Sequence, residues 1–449
     1  MNSEKVFKRK AYNQLLEWKK LNGSYAVLIE GARRVGKSTL AKSFGENEYK
    51  SYILIDFSNP NIPLSTFDDL NNLDLFFLRL QAETNIKLYN RESLIIFDEV
   101  QLFPKARQAI KHLVKDGRYD YIETGSLISI RKNVKDILIP SEEMKVNMFP
   151  MDFEEFLWAI NDEVTFDTIQ NIYSNNRSLG DSINNKLMKT FRIYMAVGGM
   201  PQAVEAYADG KNFDDIDFVK RGIINLYEND FMKIDESGRI GKIFKSIPSQ
   251  LASNSTRFVI SRATNKKKSV KDGELFYELV NSKTVLPCFN VSDPSVSLSQ
   301  TAMMDNFKLY LCDVGLFVTM MFTDSEKSNT DIYAKLLRDK LDANLGYLYE
   351  NAMAQMLSSN GYELFYHTWN KKDSTHKYEI DFLIRENSKI IPIEVKSGSI
   401  KSHASIDEFS KKYSNKIGER YLFSGHDIDH DGMLKILPMY LAPLVFKSK

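Results

Sequence analysis

Cysteine is scarce: the 449 residues hold two, Cys288 and Cys312. Both stand in apolar, strand-like text (VLPCFNV and LYLCDVG), and no CxxC or Cys/His pairing accompanies them. That leaves no basis for structural zinc and fits buried thiols in a reducing cytosol. Long apolar runs are also missing. No stretch approaches about 18 consecutive apolar residues, and the N-terminal MNSEKVFKRKAYNQLLEWKK is too charged for a signal peptide. A cytoplasmic protein without a membrane span is expected. Net charge is nearly absent, since 60 Lys+Arg stand against 59 Asp+Glu. The whole molecule therefore exerts no pull on nucleic acid, although a local basic face remains compatible with this balance. Internal repeats and low-complexity tracts are absent too. What is present is ordinary globular text, 43% hydrophobic and 27% charged. Its length predicts roughly two to four domains.

Along the chain, short apolar runs alternate with helical patterns up to about residue 152. Tyr25–Ile29, Ser51–Phe57, Ser93–Phe97 and Tyr119–Glu123 read as strands. A helix is expected over about Glu4 to Lys20, another from Lys37 to about Phe44, and another opened by Pro104. Strands alternating with helices predict a parallel α/β sheet. After Phe153 helical periodicity takes over through FEEFLWAI, INNKLMKTFRIYMAV and DFVKRGIINLYENDFMKI. A segment from about Gly241 to Thr323 mixes helices with two strands, and a last segment reads helix, strand, strand, strand, helix. The expected division is 1–152 as a parallel α/β core, 153–240 as a helical lid, 241–325 as a segment of helices and two strands, and 340–449 as a second α/β domain.

Gly31-Ala32-Arg33-Arg34-Val35-Gly36-Lys37-Ser38 fits G-x-x-x-x-G-K-[ST], with a strand before it and a helix after it. The residue types suit phosphate. Gly31 and Gly36 let backbone N–H groups close in, Lys37 places a positive charge on the β/γ-phosphates, and Ser38 offers a hydroxyl to Mg²⁺. Residues Gly31 to Thr39 are thus the candidate ATP-binding residues. The strand Leu94–Phe97 ends in Asp98 and Glu99. Asp98 would hold Mg²⁺ through water, and Glu99 would polarise the attacking water. Thr124 and Ser126 end the fourth strand, either as a γ-phosphate sensor or as a turn or cap.

The ordered set GARRVGKST, FDEVQ, TGS, MFPMDFEEFL and VGGMPQAV resembles the bacterial and archaeal AAA-type ATPases that carry a C-terminal domain of unknown function, over nearly the whole chain. Many such relatives have a Gly-Arg pair before the LyPLSFxEFL-like stretch; this chain reads ILIPSEEMKVNMFPMDFEEFL there, so no arginine is carried over. Arg33 and Arg34 suit a structural or nucleotide-shielding place. Arg192, Arg221 and Arg239 lie in helical text and read as solvated or ion-paired residues rather than an arginine finger. The resemblance implies a winged-helix module in the middle segment. Lys266, Lys267 and Lys268 with Arg257 and Arg262 would give it a basic face. Contact with DNA phosphates and an exposed basic loop on a packing module fit that face equally.

Glu350 on helical text, Asp381 in YEIDFLI, and Glu394 and Lys396 in IPIEVKS follow in an order that resembles the PD-(D/E)xK nuclease fold. Glu394 and Lys396 are two apart on a strand and share a face. Asp381 and Glu394 would hold Mg²⁺ with Glu350 nearby, and Lys396 would orient water and stabilise the phosphorane. A degenerate module that docks DNA or protein partners uses the same residues. Lys371, Lys372 and His376 lie in the preceding hairpin, touching phosphate or forming a solvated turn. Asp427-Ile428-Asp429-His430-Asp431-Gly432 imitates an EF-hand, but Pro438 stands at the twelfth position, so a polar hairpin turn is expected. The combined expectation is a Mg²⁺-dependent ATPase driving a DNA-binding or DNA-cutting module, with a nucleotide-dependent protein-docking switch as the alternative and a homo-oligomer compatible with both.

Overall fold

The computed structural model describes residues 5–60, 67, 70, 72–126, 140–175, 177–253, 255–264, 270–322, 329–338, 346–371, 376–398, 400 and 402–447, with backbone alone at 270–272 and 329–332. Lys266, Lys267, Lys268 and Lys372 lie outside them. The chain divides into two compact units, residues 1–149 with 281–283 and residues 150–280 with 284–449.

Unit one is a five-stranded sheet of β1 (Ala26–Glu30), β2 (Ser51–Asp56), β3 (Ser93–Asp98), β4 (Asp120–Gly125) and β5 (Glu143–Asn147). Their order is β2-β3-β4-β1-β5 and every pairing is parallel. Strands β1, β3 and β4 are buried along their whole length, which is why their text is a continuous apolar run rather than an alternation. Helices α1 (Ala11–Lys19), α2 (Lys37–Glu48), α3 (Leu73–Thr84) and α4 (Pro104–Asp116) belong to this unit. Helix α4 starts on Pro104 at its first turn, buries Ala106, Ala109, Ile110 and Leu113, and stops at left-handed Gly117. These residues join Ile53, Ile95, Phe97, Phe76 and Phe77 in one core. The consequence for function is positional. Because β4 is inserted between β1 and β3, the carboxyl ends of three neighbouring strands meet, carrying the P-loop, Asp98 and Thr124.

Unit two holds an eight-stranded mixed sheet: β6 (Val285–Val291), β7 (Ala302–Leu311), β8 (Leu364–Asn370), β9 (Lys377–Glu386), β10 (Lys389–Val395), β11 (Arg420–Ser424), β12 (Asp429–Asp431) and β13 (Leu434–Pro438). The order is β12-β13-β11-β10-β9-β8-β6-β7. The free two-stranded wing expected over 241–325 does not form. Strand β6 pairs antiparallel with β7 and parallel with β8, so the hairpin is one edge of the C-terminal sheet. The reason is burial: Val285, Cys288, Val291, Leu309, Tyr310 and Leu311 are buried, and a free wing would leave them wet. Helix Gly346–Ser359 crosses this sheet and is tied to it by Asn351, which accepts from Leu311 N–H (2.8 Å) and donates to Leu311 C=O (3.1 Å).

The helices of 153–240 likewise belong to this unit instead of standing alone as a lid. Their first, Phe153–Ala159, carries a capping box of Asp152 and Glu155. Three long-range clasps hold the rest. Asp313 accepts from Gly199 N–H (2.6 Å) and Leu316 N–H (2.9 Å). Buried Lys220 donates to Ala196 C=O (2.7 Å) and Tyr333 Oη (2.8 Å), and burial lowers its pKa to about 8. Asp427 accepts from the Ser178 hydroxyl and from Leu179 and Gly180 N–H just before helix Asp181–Val197. The EF-hand-like text is therefore a loop leading into the β12–β13 hairpin, with Asp427 spent on a helix start.

The VGGMP motif is explained by close approach. A Cβ on Gly199 would fall well inside 3.0 Å of the Met151 backbone, which cannot yield as a flexible side chain would. Gly199→Ala is expected to destabilise the protein by about 3 kcal/mol, the upper overpacking range. Gly222→Ala, in helix Phe213–Ile234 with open space around it, should stabilise by about 0.5 kcal/mol through helix propensity. Urea denaturation of both variants checks the contrast.

Candidate nucleotide site and a C-terminal carboxylate cluster

The P-loop leaves β1 at Gly31, passes Arg34 (φ 70°) and Gly36 (φ 97°), and enters α2 at Lys37. A Cβ on Gly31 would strike the Met148 carbonyl, so glycine is required there by a neighbouring backbone. Below the loop, buried Arg9 donates from Nη1 to Val35 C=O (2.8 Å) and from Nη2 to Phe149 C=O. No local signal marks Arg9: its text, FKRKAYNQ, reads as solvated charge.

Lys37 is buried and folds back on the loop, donating to Gly31 C=O and Ala32 C=O at 3.0 Å each. Burial lowers its pKa to about 8, against the opposing pull of Glu99 and Asp98 and with help from Arg33. The Ser38 hydroxyl donates to Asp98 Oδ1 at 2.7 Å, and the Thr124 hydroxyl donates to the same oxygen. Of the two roles open to Thr124, its hydroxyl is turned towards the acidic strand end. Glu99 sits in the left-handed region (φ 53°), a costly conformation for a non-glycine residue, and its Oε2 accepts from Gln101 Nε2. Gln101 was not singled out from sequence, although it lies two residues beyond Glu99. A hydroxyl and a carboxylate sharing one hydrogen bond beside a buried ammonium are hard-oxygen donors that fit Mg²⁺ with a phosphate chain.

The second constellation gathers on strands of the unit-two sheet and one helix packed on it. Strand β9 carries Glu379 and Asp381, β10 carries Glu394 and runs on to Lys396, and helix Gly346–Ser359 brings Glu350. Two partners come from β7. Lys308 Nζ lies 2.6 Å from Glu379 and 3.3 Å from Glu350, and the Tyr310 hydroxyl donates to Glu350 at 2.8 Å. Asp381 accepts from Val395 N–H (2.8 Å), and Lys396 Nζ lies 3.3 Å from Glu394. Glu394 is 2% exposed, and neither of its oxygens has a hydrogen bond of good geometry. Burial, then Glu350, hold the Asp381 carboxyl well above its ordinary range, against Lys308 and Lys396. Burial also raises Glu394. Burial opposes charge on Lys308, yet Glu350 and Glu379 outweigh it and hold the ammonium well above its ordinary value.

Lys396 stays beside Glu394, as their shared strand face predicts, and Glu350 and Glu394 both act on Asp381. Among the described residues no group of three His, Cys, Asp or Glu side chains is arranged to hold a metal ion. Lys308 and Tyr310 engage Glu350, and the Val395 N–H takes one Asp381 oxygen. Glu379 was legible as the i−2 neighbour of Asp381; Lys308, on a distant strand, was not. Of the remaining basic candidates, Arg221 pairs with Asp217 at 2.7 Å, Lys371 lies over the Tyr378 ring, and Arg257 lines a 280 Å³ apolar cavity with Phe258 and Phe276. Both cysteines are buried thiols.

Residues 23–157 match the family model of an AAA domain, which supports an AAA-type P-loop ATPase region there. Residues 188–327 and 345–441 match two domains of unknown function, DUF8612 and DUF4143. No curated protein matches the chain. Among solved structures it is similar to a STAND signal-transduction ATPase with a tetratricopeptide-repeat sensor from Pyrococcus horikoshii, at 12% identity and TM-score 0.29, covering 79% of this chain and 49% of that one. It is also similar to PCH-2 of C. elegans, at 13% identity and TM-score 0.22, covering 38% and 49%, and to a DNA replication initiation factor, at 10% and 0.21, covering 61% and 91%. The chain spans about half the length of the first two. Overlaps this weak carry no argument. No described helix is long and apolar enough to cross a membrane.

The lowered Lys37 pKa has a signed consequence. The unfolded lysine titrates near 10.5 and the folded one at about 8. The burial penalty is therefore full below pH 8 and is relieved as pH rises towards 10.5. Phosphate oxygens would stabilise the ammonium, so ATP binding at about pH 8.5 should take up a proton and weaken as pH rises further. Calorimetric titration in two buffers of different ionisation enthalpy measures the uptake, which should fade towards about pH 6.5, where the ammonium is already formed.

Proposed function

We propose that the chain is a Mg²⁺-dependent ATPase whose nucleotide cycle drives or gates a DNA-binding or DNA-cutting C-terminal module. The observation that carries the ATPase half is the meeting of the Ser38 and Thr124 hydroxyls on Asp98 Oδ1 beside the buried Lys37 ammonium. In this reading residues Gly31 to Thr39 wrap the phosphates. Lys37 exchanges the Gly31 and Ala32 carbonyls for β/γ-phosphate oxygens, and its charge is then answered by anion rather than by dipoles. Ser38 and Asp98 would hold Mg²⁺, which when bound supplies positive charge at the γ-phosphate. Thr124 keeps Asp98 oriented. Glu99 orients the attacking water once Gln101 releases it, and its left-handed backbone aims the carboxylate past the end of β3.

A second reading, a nucleotide-dependent switch that docks protein partners through a catalytically inactive module, is favoured by one observation: Lys308 is engaged with Glu350 and Glu379. Plasmid nicking separates the two. Mn²⁺- or Mg²⁺-dependent cleavage that Asp381→Ala and Lys396→Ala remove, with ATPase retained, supports the first; no cleavage under any divalent metal supports the second.

Lys37→Ala is expected to abolish nucleotide binding in a fluorescent-ATP titration. Glu99→Gln should bind ATP as the parent does while turnover falls at least ~100-fold, the scale of a lost general base. Phosphate release at saturating ATP measures this, and unimpaired turnover rejects Glu99 as the base. The same variant, held in the ATP state, is the form in which ATP-driven self-association would appear by light scattering.

A further inference from the structure

Lysine 308 is a strange residue to find where it is. It is 5% exposed, on a strand whose neighbours Phe307, Leu309 and Tyr310 are all buried. An ammonium removed from water persists only where other charges answer it. Two carboxylates do so, Glu379 at 2.6 Å and Glu350 at 3.3 Å, while the Tyr366 ring lies below its charge at 5.4 Å. Glu350 is fixed in turn by Tyr310, two residues along the same strand face. The lysine is thus held from several sides, and the strand that brings it lies in the matched region before the one that holds the carboxylates.

We propose that Lys308 is the resident cation of the C-terminal carboxylate cluster and excludes a divalent metal from it. This rests on reading Glu350, Asp381 and Glu394 as a nuclease-type carboxylate set. A magnesium ion needs oxygen ligands at about 2.0–2.1 Å and a calcium ion at about 2.3–2.6 Å. An ammonium donating to Glu379 and Glu350 takes a lone pair on each and sets a positive charge beside Asp381. It also repels a second cation. Loading a metal would require expelling a buried charge from its partners. Lys396 adds a second ammonium on the other side, against Glu394.

The test counts Mn²⁺ bound to the full chain without nucleotide, by electron paramagnetic resonance of the free ion. Wild type, Asp381→Asn, Lys308→Met and the double variant Lys308→Met/Asp381→Asn are compared, with thermal melts to establish folding. Any Mn²⁺ at the P-loop is common to all four and cancels. Lys308→Met is expected to gain one Mn²⁺, at least tenfold tighter than any Asp381-dependent binding by wild type, and the double variant should lose it. A folded Lys308→Met without the extra ion overturns the proposal. So does a wild-type Mn²⁺ that Asp381→Asn removes, a comparison that decides the matter even if Lys308→Met does not fold; in that event Mn²⁺ binding indifferent to Asp381→Asn supports it. Nicking is scored apart: cleavage by wild type overturns this inference and supports the cutting module, while its absence leaves the ion count to decide.

Discussion

An ion taken out of water must be answered by another charge or by aligned donors, and both units are organised around places where this is done. In unit one the place is Asp98. It stands at the end of a fully buried strand and receives hydroxyls from the ends of two other elements, Ser38 at the start of α2 and Thr124 on β4. The strand order that interposes β4 between β1 and β3 is what lets these groups meet. In unit two the same demand is met by Asp313 against Gly199 and Leu316, by Lys220 against carbonyls and Tyr333, and by Lys308 against Glu350 and Glu379. These matches join segments far apart in sequence.

Three buried lysines show how the kind of answer decides the kind of residue. Lys37 and Lys220 are met largely by neutral oxygens, and burial wins: both are lowered to about 8. Lys308 is met by carboxylates and is held above its ordinary value. An ammonium that rests on carbonyl dipoles gains when an anion arrives, which suits a group that must change partners in a cycle. One already matched by full charges has little to gain from such an exchange. The same side chain thus rests on dipoles at Lys37 and Lys220 and on full charges at Lys308.

Legibility in the sequence followed the range of the interactions. The P-loop and the strand ending in Asp98-Glu99 were readable because their chemistry is local and a parallel sheet advertises itself as continuous apolar text. The nearness of Glu394 and Lys396 was readable as strand spacing. Arg9, Gln101 and Lys308 were not singled out. Arg9 acts across 26 residues on Val35, and Lys308 across 71 on Glu379, so nothing near either announces its partner. The hairpin β6–β7 was misplaced because antiparallel text looks alike whether its outer edge is free or paired. Its unbroken run VLPCFNV was a sign of a strand covered on both faces. The helices of 153–240 were misassigned to a separate domain because their clasps, Asp313 and Asp427, come from much later in the chain.

The pairing of β6 with β8 also bears on how the protein comes into being. Strands β6 and β7 emerge during synthesis well before β8, on the far side of three helices. Until β8 arrives the nascent hairpin offers an open, apolar edge, with Lys308 on it and the carboxylates that answer its charge not yet made. Such an edge is a site for wrong pairing while it waits. The two matched regions that meet along this seam, 188–327 and 345–441, are therefore inherited as separate text but must mature as one body. A chimera that exchanged either alone would cut through a sheet and orphan a charge.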